Sequence, residues 1–142
     1  MGDGPLRKQI EQQCSEMGLT SVVRFLGFQK EVMPLIQPAK MLVLPSIIEG
    51  LPGVILEAMY CKTPVVAYDV GGISEIVKNG KTGWLVDKDD EDGFVKAVEE
   101  VLSCSPEELN QITNQAYQQV VEQYDNKVIA KRFEEVYESI SR

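Results

Sequence analysis

The chain has 142 residues, 44% of them apolar and 25% charged, which suits one soluble globular domain with its own core. A formal net charge of −8 argues against nucleic acid and anionic membrane as electrostatic partners. Histidine is absent, which removes Ser-His and Cys-His nucleophile pairs and imidazole-held zinc. Cys14, Cys61 and Cys104 have no metal-ligand spacing and are odd in number, so they read as free thiols in a reducing cytoplasm.

In chain order, Leu6, Ile10, Cys14 and Met17 recur at helical spacing, and Gly18 follows as a left-handed stop. "VVRFLGF" is an apolar, β-forming run that predicts a first strand. "KEVMPLIQ" predicts a short helix cut or kinked by Pro34. "KMLVLPS" predicts a second strand, apolar through its middle as strands covered on both faces are. A helix from Pro52 to Cys61, a third strand in "PVVAYD", a glycine-led helical turn in "GGISEIVKNG" and a fourth strand in "KTGWLVD" follow. The rest is helical. Phe94, Val95, Val98, Val101 and Leu102 share one face, and Ser105 to Glu108 carries a capping box. Ile129, Phe133, Val136, Tyr137 and Ile140 stripe the last helix.

Strand and helix alternation of this kind predicts an α/β, Rossmann-like parallel sheet of about four strands with helices on both faces. Residues 1–142 form one such partial domain, of which 104–142 are a helical C-terminal tail. Parallel sheets take ligands beyond the carboxyl ends of their strands. Ser46–Gly53, Gly71–Gly72 and Phe28 fall at such ends.

"PSIIEGLPGVILEAM" places Glu49 and Glu57 with seven residues between them, around a Gly-Leu-Pro-Gly turn. The first N–H groups of the helix after that turn form a ready anion site. Gly50 and Gly53 would let a phosphate come close. The two glutamates would then hold hydroxyls on either side of a phosphate. Two other readings stay open on spacing alone. Paired carboxylates also hydrolyse glycosides, and a loop charge beside a helix charge needs no function at all. Glu75 reads as a helix-start charge or a reach into the site, and Gly71–Gly72 as a plain turn or a second backbone approach to a ligand. Trp84 reads as core rather than a stacking platform, and the scattered lysines as solvated surface.

Pro45 to Val86 resembles the donor-binding half of the group 1 retaining glycosyltransferases, enzymes of two Rossmann-like domains. The motifs that carry the likeness are "PSIIEGLPGVILEAM", "PVVAYD", "GGISE" and "GKTGWLV", with "GDGPLR" and "VRFLGF" upstream. The resemblance implies hexosyl transfer from a nucleotide sugar, UDP- or GDP-linked, with no metal. It implies that Glu49, Gly50, Leu51 and Pro52 meet the donor sugar, that backbone N–H groups of Gly53 and Val54 meet the diphosphate, and that Glu57 binds ribose. Phe28 would lie near the base, and Gly2 and Gly4 would line the nucleotide side. No residue is assigned as a catalytic acid, base or nucleophile.

The sequence departs from the family at Lys62, which stands where a helix-ending glycine is common. A non-glycine residue in a left-handed conformation there costs on the order of 1 kcal/mol. An acceptor-binding domain, and two strands with the diphosphate-clamping Arg and Lys, have no counterpart in the 142 residues. The resemblance therefore implies a chain inactive by itself. The alternative is a non-catalytic assembly module that oligomerises through an open strand edge or pairs with a separate acceptor-binding subunit. The expected location is the cytoplasm, or the inner face of a membrane through such a partner.

Overall fold

The structure is a computed structural model and describes residues 4–140. The backbone clusters into two compact units, Met1–Val32 and Met33–Arg142.

In the first unit, helix α1 spans Arg7–Glu16. Gly18 ends it at φ +70°, with hydrogen bonds from Gly18 N to Ser15 O and from Leu19 N to Cys14 O. This is the left-handed stop that the sequence predicts. Of the predicted stripe only Cys14 is buried, whereas Leu6, Ile10 and Met17 are exposed. The run "VVRFLGF" is not a strand, and Gly27 within it takes φ +65°. Its composition suits a strand, but among the described residues it joins no sheet ladder, and Val22 N and Val23 N bond back to Leu19 O in a turn instead.

The second unit holds the sheet. Strands β1 (Leu42–Leu44), β2 (Val65–Tyr68) and β3 (Trp84–Val86) are parallel, in the order β1-β2-β3. Val43 faces Val66, and Ala67 faces Leu85. The sheet thus has three strands where about four are predicted, because the first never forms. All four residues of β2 are buried, so helices cover both of its faces.

Helix α2 (Met33–Ile36) takes Pro34 into its first turn, where a missing N–H costs nothing, so the proline starts the helix rather than kinking it. Helix α3 (Gly53–Tyr60) links β1 to β2 and buries Ile55, Ala58 and Met59 on one face. Pro52 is its N-cap, extended at φ −73° and ψ 111°, rather than its first helical residue. At the other end Lys62 is left-handed at φ +57°, with Lys62 N bonded to Met59 O and Thr63 N to Ala58 O. The conformation that usually selects glycine is thus present with a lysine in it. The Lys62 ammonium lies 5.1 Å from the centre of the Tyr117 ring, a cation–π contact that offsets part of the strain.

Helix α4 (Ile73–Ile76) links β2 to β3, and Glu75 is an exposed charge in its first turn. Helix α5 (Glu91–Ser103) is capped by the Asp90 carboxylate, which accepts from Gly93 N. Its buried face centres on Ala97 and Val101, whereas Val95 and Leu102, placed on that face from sequence, are exposed. Helix α6 (Pro106–Gln123) starts with the predicted capping box. Ser105 and Glu108 exchange hydrogen bonds, which hold the Glu108 carboxyl below its usual range. The Gln119 side chain donates to Ile76 O and ties α6 to the end of α4. In helix α7 (Asn126–Ile140), Phe133, Val136, Tyr137 and Ile140 of the apolar stripe remain more than half exposed.

Among the described residues no helix is long and apolar enough to cross a membrane.

Candidate functional site

Glu49 sits in the loop that leaves β1, and Glu57 in the second turn of α3. Both are half-buried. Neither carboxylate has a hydrogen bond or ion pair among the described residues. A half-buried carboxylate that the protein leaves unpaired is an acceptor available to something else. The Glu57 charge is felt locally, since burial and then Glu57 push the Cys61 thiol up from its usual value.

Between the two glutamates lies the start of α3. Pro52 has no side chain able to accept, so the helix is uncapped. The Gly53 and Val54 N–H groups have no hydrogen-bond partner within the described chain. These are the orphan donors of a helix N-terminus, reinforced by the positive end of the helix dipole. Around Gly50 and Gly53 there is open space, with nothing within 4 Å of an added Cβ. Neither has a positive φ. The chain's own packing therefore does not require glycine at either position, and the room in front of them is available to a ligand.

Gly71 and Gly72 differ. They lead from β2 into α4 and abut the Glu49 loop directly. Gly71 has φ +56°, and a Cβ there would collide with the Glu49 carbonyl oxygen. Gly72 N donates to Gly50 O at 2.9 Å. The sequence left these glycines between a plain turn and a ligand approach. They form that strand-to-helix turn, and within it they make a close backbone approach to the chain's own loop.

Of the remaining residues expected in the site, Leu51 is exposed and Pro52 buried within the same loop. Gly4 and Phe28 belong to the first unit, both exposed. Gly2 lies outside the described residues. Trp84 is core, 3% exposed, with its indole N–H donating to Glu100 Oε1 at 2.9 Å. Among the described residues no three Cys, Asp or Glu side chains group as metal ligands.

Parallel strands, an uncapped helix at their carboxyl ends and two unpaired carboxylates beside it make a Rossmann-like domain with a candidate ligand site at that end. The family model for "Glycosyl transferases group 1" matches residues 1–119, and the chain belongs to that family. It is 32% identical to the N-acetyl-alpha-D-glucosaminyl L-malate synthase of Bacillus anthracis, over 100% of this chain and 37% of that protein. The chain thus spans little more than a third of the length of that relative. Anabaena HepE, solved in complex with UDP-glucose, superposes with a TM-score of 0.84 at 27% identity, over 94% of this chain and 36% of HepE. The C-terminal domain of LpcC, a group 1 glycosyl transferase family protein from Francisella tularensis, shares the fold. Its TM-score is 0.72 at 23% identity, over 85% of this chain and 63% of that domain.

Proposed function

We propose that this chain is the nucleotide-sugar-binding half of a retaining glycosyltransferase, which transfers a hexosyl group from a UDP- or GDP-sugar without a metal. The observation that carries the proposal is the uncapped start of α3 between the unpaired carboxylates of Glu49 and Glu57. A diphosphate fits the Gly53 and Val54 N–H groups. Glu49 then accepts from sugar hydroxyls through the loop of Gly50, Leu51 and Pro52, and Glu57 accepts from the ribose. Neither glutamate acts as acid or base. The complex of HepE with UDP-glucose supports a donor of this class. The acceptor is held elsewhere, so the chain by itself transfers nothing. The free thiols of Cys14, Cys61 and Cys104 support a reducing, cytoplasmic location.

Calorimetry against UDP-glucose and a GDP-hexose tests the proposal. The wild type is expected to bind one of them. Glu57→Gln is expected to lose about 1.5–3 kcal/mol, roughly 10- to 150-fold in affinity, as for a hydrogen bond to a charged group. No binding at millimolar nucleotide would remove the reading.

A second reading, association through the sheet, is favoured by a difference between the two edges. At β3 the Leu85 N–H is occupied by the Asn79 side chain. At β1, Leu42 N turns inward to Pro64 O, so the Val43 N–H and C=O point away from the sheet, and Val43 is 44% exposed. An open, apolar edge is a template for another strand, from a second copy or from an acceptor-binding subunit. Light scattering at high concentration is expected to give about twice the 15.9 kDa chain mass, falling to one chain mass in Val43→Lys. A monodisperse wild-type monomer would refute self-association.

A further inference from the structure

We propose that Gly71 and Gly72 are positioning residues for the sugar-binding carboxylate of Glu49; this rests on the donor-site role proposed above for Glu49 and Glu57.

Two loops leave the sheet at the carboxyl ends of adjacent strands, one from β1 and one from β2. They touch backbone to backbone. Gly72 N donates to Gly50 O at 2.9 Å. A Cβ on Gly71 would strike the Glu49 carbonyl oxygen and stand 2.9 Å from the Glu49 carbonyl carbon. A Cβ on Gly72 would stand 3.0 Å from Gly50 O and 3.4 Å from Leu51 Cδ1. The contact thus runs along the segment from Glu49 to Leu51 that is proposed to meet the sugar.

Glu49 has no polar partner among the described residues to aim it. Its carboxylate makes no hydrogen bond among the described residues. Its direction therefore follows its own backbone, and that backbone is seated on Gly71 and Gly72. Glu57 is held differently. It rides on α3, anchored by the buried Ile55, Ala58 and Met59. A change at the glycines should turn the sugar arm and leave the ribose arm in place. A merely structural turn would affect sugar and nucleotide alike.

The two substitutions differ in severity. Gly71→Ala adds a direct collision to a backbone at φ +56° that L-residues rarely adopt. Gly72→Ala sits at φ −87°, where alanine is unstrained, and displaces the Gly50 carbonyl only by a few tenths of an ångström. If Gly71→Ala fails to fold, Gly72→Ala still carries the test.

The experiment measures affinity for UDP and UDP-glucose, and for GDP and a GDP-hexose, in wild type, Gly71→Ala, Gly72→Ala and Glu49→Gln. The readout is the ratio of sugar-nucleotide to free-nucleotide affinity. Glu49→Gln is expected to lower that ratio about tenfold, as for one lost charged hydrogen bond. Gly71→Ala should match it, and Gly72→Ala should fall between it and wild type. Free-nucleotide affinity should stay within about threefold throughout. Adding Gly71→Ala to Glu49→Gln should lower the ratio no further, because both act on one arm. A glycine variant that keeps the wild-type ratio, or loses sugar and nucleotide binding in equal proportion, overturns the inference while leaving the donor site standing. A wild type that binds no nucleotide overturns both.

Discussion

Ile55→Asp is expected to leave the chain without a cooperative fold at 25 °C. Ile55 is 0% exposed in the first turns of α3 and shares its buried face with Ala58 and Met59. Shortening such a side chain costs about 2–5 kcal/mol through lost burial and a residual cavity. A carboxylate in its place costs several kcal/mol more, because the site is fully buried and a charge there loses its hydration. Together these approach the whole stability of a domain, about 5–15 kcal/mol. Far-UV circular dichroism should show lost helix, and Trp84 emission should move to that of indole in water. Ile55→Val, which removes one methylene, should cost only about 0.5–1.5 kcal/mol and stay folded. Because α3 carries Glu57 and presents the Gly53 and Val54 N–H groups, the nucleotide binding proposed above should vanish with the fold in the aspartate variant and persist in the valine one. A wild-type melting curve for Ile55→Asp would contradict the buried placement of α3.

The features that sequence resolved are those settled within a few residues. Four consecutive apolar positions from Val65 to Tyr68 announce a strand buried on both faces, and all four are buried. Ser105 and Glu108 are close enough in sequence to cap each other. Gly18 and Lys62 mark left-handed helix ends, the second made legible by the departure from glycine. The placement of Glu49 on a loop and of Gly53 and Glu57 on the helix that follows was legible for the same reason.

What sequence did not resolve depends on partners far along the chain. "VVRFLGF" has the composition of a strand, but composition does not supply the neighbouring ladder. Val95 and Leu102 have the hydrophobicity of core residues, yet the face of α5 turned inward is set by β2 and β3, where Phe94 meets Tyr68 at 4.7 Å between ring centres. Gly71 and Gly72 show the same limit at the site. A glycine pair after a strand signals close backbone approach, but only the packing of two loops shows that the approaching atoms belong to Glu49 and Gly50. Side chains proposed to touch one ligand can thus be read locally, whereas the device that aims one of them cannot.

Trp84→Ala should be the costliest truncation in β3, about 3–5 kcal/mol. On a chain of this size that is roughly 10–20 °C in melting temperature. The strand has three residues and one paired neighbour, so its side chains rather than its ladder fasten it. Trp84 stands opposite Val66 in the central strand and is 3% exposed. Its indole N–H also bonds Glu100 on α5, joining sheet and helix by a polar contact as well as an apolar one. Trp84→Phe keeps most of the apolar area and gives up that hydrogen bond, so it should cost much less, with about 0.5–1.5 kcal/mol from the bond itself. Glu100→Ala should fall in the same smaller range, and combining it with Trp84→Phe should add little, because both remove one bond. Melting followed by circular dichroism reads all four variants, since Trp84 is the only tryptophan. A stacking platform would give the reverse order. Trp84→Ala would then melt like wild type and lose nucleotide affinity, which its burial against α5 and β2 speaks against.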